Sequence, residues 1–458
     1  MRWLSLPLSA ALLLGAAIDG AGPLHRAAFD DDLPAAERAV RGGADVNGVN
    51  RYGMTPLSLA CTNGNAAMVA LLLKSGADAN KPLPGGETPL MTCARTGKPA
   101  AVAALLAAKA DVSAKESKGQ TAIMWAAAEG NVEAVKLLIA GGAEFRERVP
   151  SGFTPFLFAV REGRSGAVSA LLKAGVDVNE SILRPGQGRK SSQGRGWPPV
   201  GNSALVLAVL NGHFELASQL LDAGADPNAA GAGYTALHAI SHVRKSGGGD
   251  NDPPPIGSGA MTSLQFVGKL AAKGANLNAR MTQKVGFGLT RLNTMSATPF
   301  LLAAKTADVD LMRELAKLGA DARIPNADDS TPLMAAAGLG TRSPGEDAGT
   351  EEEVVAAIKL ALELGNDIDA VDKNGETAMH GAAYKNLPEA VRLLAARGAN
   401  FAVWNQPNKF GWTPLTIAEG YRFGNFKPSV VTVAAFLEVF TKAGVEPARS
   451  VTKGKTIY

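Results

Sequence analysis

The sequence predicts an all-α repeat solenoid, a stack of helix-turn-helix units whose connecting segments project as β-hairpin-like fingers. Three observations predict it. A Thr-led motif recurs at steps of 33 residues, from Thr55 (TPLSLACTNGN) through Thr88 (TPLMTCARTGK) and Thr121 (TAIMWAAAEGN) to Thr154 (TPFLFAVREGR). A glycine falls 21 residues after most of these anchors, at Gly43, Gly76, Gly142, Gly175, Gly224, Gly319 and Gly398. Apolar residues make up 46% of the 458-residue chain but aromatics only 5%, so the apolar mass is mostly Ala, Leu and Val. That composition suits thin, closely packed helices better than one thick core.

Each part of the unit has a local cause. Stepping back 33 from Thr55 lands on Gly22, and further anchors at Ser203, Thr235, Thr298, Thr331, Thr377 and Thr413 bring the number of repeats to eleven. Thr followed by Pro sets an N-cap and then a preset φ, so a first helix starts there. Glycine nine residues on, as at Gly64, Gly97, Gly130, Gly163 and Gly212, ends it in the left-handed conformation. A second helix follows, for example VEAVKLLI at 132–139, with Leu137 expected to pack between stacked repeats. Paired alanines such as Ala126 and Ala127 let neighbouring helices approach to about 8–10 Å. The segment between repeats carries Asp, Asn and Gly, which is turn chemistry.

The order TPLHxAAxxG, second helix, GADVN, DxxG resembles the ankyrin repeat over residues 18–444. The resemblance implies L-shaped units with sideways fingers. It also implies a concave face, formed by fingers and first helices, that binds protein partners without enzymatic chemistry. The chain departs from the pattern at Lys109, where repeat 3 should have its glycine, at Ser203 in place of Thr, and at Ala307, where repeat 8 should end its first helix with glycine.

Catalysis finds no constellation to carry it. His25, His238 and His380 each sit three residues after an anchor, where the resemblance implies a structural hydrogen bond, and His213 follows Gly212 as in a common Gly-His pair. His242 alone is left over, and a single histidine without a nucleophile or carboxylate cluster is no active site. GQGRKSS at 186–192 lacks the spacing and flanking elements of a phosphate loop. No catalytic, cofactor or metal residues are therefore expected. Two cysteines exclude a four-cysteine zinc module, and a net charge of +4 is too mild for a nucleic-acid binder. Cys61 and Cys93 occupy small packing slots six and five residues after their anchors; this offset, about 100° of helical phase, favours buried free thiols over a disulfide.

Departures from the 33-residue step mark where something besides stacking is encoded. The finger before repeat 6 has 16 extra residues and the finger before repeat 8 has 12. The turns between helices lengthen in repeats 7, 9 and 11, whereas repeats 1–4 are regular. The two finger insertions are basic: Arg184, Arg189, Lys190 and Arg195 stand in the first, Arg280, Lys284 and Arg291 in the second, with no acid in either. Trp197 has no local core to join. Phe410 and Trp412 flank Gly411 at the finger tip of repeat 11. The partner-binding candidates are accordingly Arg184, Arg189, Lys190, Arg195, Trp197, Lys284, Arg291, Phe410 and Trp412. Other C-terminal aromatics, Trp404 among them, are expected to cap the stack.

The N-terminal run has the form of an export signal: Arg2, then the apolar Trp3–Leu14, then small residues. The expected organisation is a signal peptide at 1–17, repeats 1–5 over 18–180, the basic insertion at 181–200, repeats 6–11 over 201–444 and a basic tail at 445–458. The expected function is a monomeric, non-enzymatic interaction scaffold outside the cytoplasm, in a periplasm or secreted. It would bind a protein, acidic partners included, and neither bind nucleic acid nor span a membrane after signal cleavage. The alternative is a binder of an anionic polysaccharide or lipid headgroup through the basic fingers.

Overall fold

The computed structural model describes residues 21–183, 200–245, 254–286, 290–345, 347–422 and 427–448. The expected signal segment, most of the first basic insertion and most of the C-terminal tail lie outside them. Among the described residues the chain forms 23 helices, eleven helix pairs and the short Phe401–Trp404. No helix among them is long and apolar enough to cross a membrane. The chain divides into two compact bodies, Met1–Asp177 with repeats 1–5 and Val178–Tyr458 with repeats 6–11.

Repeat 2 shows how the sequence produces the pair. Thr55 Oγ1 accepts the Ser58 N–H at 3.1 Å, Pro56 supplies the first helical φ, and the helix Pro56–Asn63 stops at Gly64 with φ +71°. Asn65 then caps Ala66–Lys74 by accepting from Ala67 and Met68. Where glycine is missing the backbone keeps the same turn: Lys109 takes φ +62°, Ala307 +50° and Asn386 +60°. Stacking dictates that conformation strongly enough to overcome the steric cost of a Cβ.

First helices pack on first helices through fully buried small residues, Ala126 and Ala127 in repeat 4 among them. Second helices bury a narrow stripe. In Val132–Ala140 that stripe is Ala134, Val135 and Leu138, and Leu137 is only half-buried, which corrects the expectation that Leu137 fills the stack. One residue is about 100° of helix, enough to move the inward position from 137 to 138.

Among the described residues the fingers are hairpin-like turns without ladders. Asn50 N–H donates to Met54 O at 3.0 Å and Gly53 N–H to Asn50 O at 2.9 Å, and the same closure recurs from Asp372 to Glu376 and from Asn408 to Trp412. Neighbouring fingers are joined by an asparagine relay: Asn47 Nδ2 donates to Gly76 O at 2.9 Å while its Oδ1 accepts from Asp78 N at 2.7 Å. Asn80 Oδ1 receives Asp111 N in the same way. Each relay satisfies backbone groups that a ladder would otherwise pair.

Cys61 and Cys93 form a disulfide, with Cα atoms 4.6 Å apart, which overturns the expectation of free thiols. The physical reason is the helix arrangement. Pro56–Asn63 and Pro89–Thr96 lie side by side in the same sense, so residues that meet must sit on opposed faces of their own helices. A phase offset between the two cysteines is therefore what contact requires, and equal phase would have pointed both thiols the same way.

Candidate functional site

The C-terminal body carries a cavity of about 160 Å³ at the bases of the fingers of repeats 9, 10 and 11. Four separate stretches supply most of its wall, and Asp328, Ser330, Tyr384 and Arg422 complete it. Arg291, Leu292 and Asn293 come from the finger insertion before repeat 8, Leu339–Thr341 from the lengthened turn of repeat 9, Asp372–Glu376 from finger 10, and Lys409 with Phe410 from finger 11.

Two of these stretches are irregular in sequence, and buried charge fixes both. Thr290 and Thr341 form an isolated bridge, and Arg291 N–H donates to Gly340 O at 2.8 Å. Gly340 has φ +80°, and a Cβ there would strike the Leu292 backbone. Behind this contact Thr341 Oγ1 donates to Asp347 Oδ2 at 2.6 Å, and the Asp347 carboxylate pairs with the buried Lys305 ammonium. Burial opposes ionisation of Asp347, but Lys305, the Thr341 hydroxyl and Lys385 together hold its carboxyl below the ordinary range. Lys385 Nζ donates to Ala348 O, and burial beside Lys305 lowers that ammonium to about 8. The lengthened turn of repeat 9 is thus pinned from within. Thr350 and Glu353 close a capping box on the helix that follows, and Glu353 also pairs with Lys245 at 2.7 Å.

On the opposite wall a buried polar network supports the finger tip. Asn408 Oδ1 accepts the N–H groups of Phe410 and Trp412 at 3.0 and 3.1 Å, while its Nδ2 donates to Glu376 Oε1 at 2.9 Å and to Tyr384 Oη at 3.0 Å. Tyr384 in turn donates its hydroxyl proton to Glu376 Oε1 at 2.8 Å. Burial pushes the Glu376 carboxyl up, and burial together with Glu376 pushes the Tyr384 phenol well above its ordinary value. Arg422, buried behind the network, donates to Tyr384 O, and burial lowers its guanidinium to about 10.

The structure brings two of the sequence candidates to the cavity. Arg291 is exposed and lines it; Phe410 is 39% exposed and lines it, with the Lys409 ammonium 5.1 Å from its ring centroid. Trp412 is half-buried against Phe410, ring centroids 5.1 Å apart, and supports the rim without lining the cavity. Lys284 is exposed and is not part of the wall. Arg280 donates to Ser296 O and Pro325 O, so it ties its own insertion down. Arg184, Arg189, Lys190, Arg195 and Trp197 lie outside the described residues. Sequence reasoning missed Glu376, Tyr384 and Asn408. The only available signal was the DKNGE and PNKFGW finger motifs, which read as turns.

Four of the five histidines serve the scaffold. His238 Nδ1 accepts from Thr235 N at 3.2 Å and its Nε2 donates to Ala297 O at 3.1 Å, while His380 Nδ1 accepts from Thr377 N at 3.1 Å. Burial pushes both imidazoles down to about 4, so they are neutral. His25 Nε2 lies 3.0 Å from Gly48 O, and His213 Nδ1 accepts from Ser258 N at 2.9 Å. No group of His, Cys, Asp and Glu that could hold a metal occurs among the described residues. Of the other C-terminal aromatics Phe401 and Trp404 cap the stack, with Trp404 fully buried against Phe401, Phe436 and Phe440, whereas Tyr384 belongs to the cavity network and Tyr421 is exposed; Phe423 and Phe426 lie outside the described residues.

A family model described as "Ankyrin repeats (3 copies)" matches residues 24–116, 104–182 and 350–426, and one described as "Ankyrin repeat" matches 200–232. The chain is similar to Inversin of Canis lupus familiaris, 28% identical over 156 residues, which is 34% of this chain and 13% of that protein. It therefore spans only a small part of that relative. It is also similar to the ankyrin repeat domain of human ASB11, with 23% identity and a TM-score of 0.43 over 56% of this chain and 99% of that one. Ankyrin repeats generally mediate protein–protein interaction, and the family is typically a non-catalytic scaffold. The matched models span more than half of the chain and fall on its Thr-capped helix pairs, and the chain belongs to the ankyrin-repeat family.

Proposed function

We propose that this protein is a non-enzymatic scaffold outside the cytoplasm that binds a protein partner through the finger-side surface of repeats 8–11. The observation that carries the reading is Phe410, a large aromatic left 39% exposed at the mouth of a cavity, on a finger tip held rigid by Asn408. Exposed aromatics on a rigid support beside a pocket are the usual anchors of protein interfaces. Arg291 and Lys409 flank it and would draw in an acidic surface. Export is supported by the apolar run Trp3–Leu14 behind Arg2 and by the Cys61–Cys93 bond, since disulfides persist in oxidising compartments.

A photo-crosslinking amino acid at position 410 tests the reading, with the same group at Tyr52 of finger 2 as control. In the native envelope or secreted fraction, position 410 captures a discrete partner protein and position 52 does not. Equal capture at both positions, or none at 410, contradicts it.

A further inference from the structure

The cavity at the finger bases has a chemistry more specific than its position. At about 160 Å³ it falls below the roughly 300–1,000 Å³ of pockets that enclose a drug-sized ligand. It has room for one long side chain. Its polarity is graded. Glu376, Asp372 and Arg422 are buried at the base, two acids to one cation, whereas Arg291, Lys409 and Phe410 are exposed at the mouth.

The two deep carboxylates are not equivalent. Asp372 is satisfied: its Oδ1 accepts from Asn374 N and Glu376 N, and its Oδ2 accepts from Ser330 Oγ at 2.9 Å and Asn374 Nδ2 at 3.2 Å. Glu376 is 9% exposed, and both donors that reach its side chain, Tyr384 and Asn408, end on Oε1. Oε2 receives no hydrogen bond from the described residues and is not among their fully buried atoms, so it stands as an acceptor open to an incoming donor. Arg422, a buried cation of the wall, has Nη1 committed to the Tyr384 carbonyl.

We propose that this cavity receives a single lysine or arginine side chain of the protein partner, with its cationic head at Glu376 Oε2 and acidic residues on either side of it met by Arg291 and Lys409. The inference rests on the protein-partner reading above and names what that surface recognises. An anionic head would meet Glu376 and Asp372 at the base and be repelled. A neutral one would bring no charge to favour the ionised carboxyl that burial disfavours. A cation supplies both a donor for Oε2 and a charge opposite to the two acids, and its alkyl stem packs against Phe410 and Leu339.

The test is calorimetric titration of the full chain with an acetylated, amidated pentapeptide, arginine at the centre and two glutamates on each side. Its partner probe replaces arginine with citrulline, the same shape without the charge. The arginine peptide binds about tenfold to a hundredfold more tightly than the citrulline peptide. Glu376→Gln abolishes that difference. Gln keeps the Oε1 acceptor for Tyr384 and Asn408, and a melting curve verifies that the variant is folded. Equal binding of the two peptides overturns the proposal, as does no binding at millimolar peptide or a preference for arginine that survives Glu376→Gln. So does binding of a methyl glycoside in place of either peptide. Because the crosslink at position 410 is scored separately, a partner captured there with no arginine preference removes this proposal and leaves the protein-partner reading standing.

Discussion

Asn408 and Glu376, 32 residues apart and on successive fingers, meet through a 2.9 Å hydrogen bond buried beneath the cavity rim. Through the same side chain Asn408 holds the backbone of Phe410 and Trp412. One amide thus joins the floor of the cavity to the aromatic tip above it.

Asn408→Ala should therefore do two things together. It strips two finger N–H groups and Glu376 of partners, and leaving buried polar groups unsatisfied costs about 2–3 kcal/mol. A urea melt should show that loss. Crosslinking from position 410 should fall as the tip loosens, even though Asn408 itself is buried.

Reducing the Cys61–Cys93 bond should destabilise the N-terminal body. The bond closes a loop over a sequence separation of 32, and the chain-entropy model gives about 3–4 kcal/mol for such a loop. Denaturant melts with and without a thiol reductant should differ by that amount. Thiol titration of the unfolded, unreduced protein should find no free thiol among the two cysteines.

Lys109→Gly should stabilise. Lys109 sits at φ +62° in the slot that other repeats give to glycine, it is exposed, and relieving the left-handed strain is worth about 1 kcal/mol. A shift of the urea midpoint to lower concentration would contradict the expectation. The same exchange at Ala307 should gain less, because Ala307 is buried and its methyl group fills space.

Stability should fall with acid before the carboxylates titrate. His238 and His380 are held neutral with pKa values lowered to about 4, so the unfolded chain takes up their protons first. Their contribution is complete above about pH 6.5 and is lost as pH falls toward 4, by up to about 3 kcal/mol each. Glu376, whose carboxyl burial raises, acts in the opposite sense. Urea melts at pH 7, 5.5 and 4.5 should therefore show a decline, and His380→Asn, which keeps an acceptor for Thr377 N, should flatten it.

How much of this was legible in the sequence follows physical range. Thr-Pro caps, helix-ending glycines and the Ala126–Ala127 contact are set within one or two turns of chain, so a 33-residue periodicity exposes them directly. Leu137 and Leu138 differ by one residue, and only the real helix start decides which faces inward. The Cys61–Cys93 pair was misread because phase was compared within one helix, whereas contact depends on two helices facing each other. Phe410 and Arg291 were legible as exceptions to composition. Glu376, Tyr384 and Asn408 were not, since their role arises only where finger 10, the first helix of repeat 10 and finger 11 converge.

Hydrogen exchange on the complex with the partner captured at position 410 tests the central claim most directly. The account predicts new protection at residues 290–293, 328–330, 372–376 and 408–412, with the tip at 50–54 exchanging as it does in the free protein. Protection confined to the fingers of repeats 1–5, with those four stretches unchanged, would contradict it.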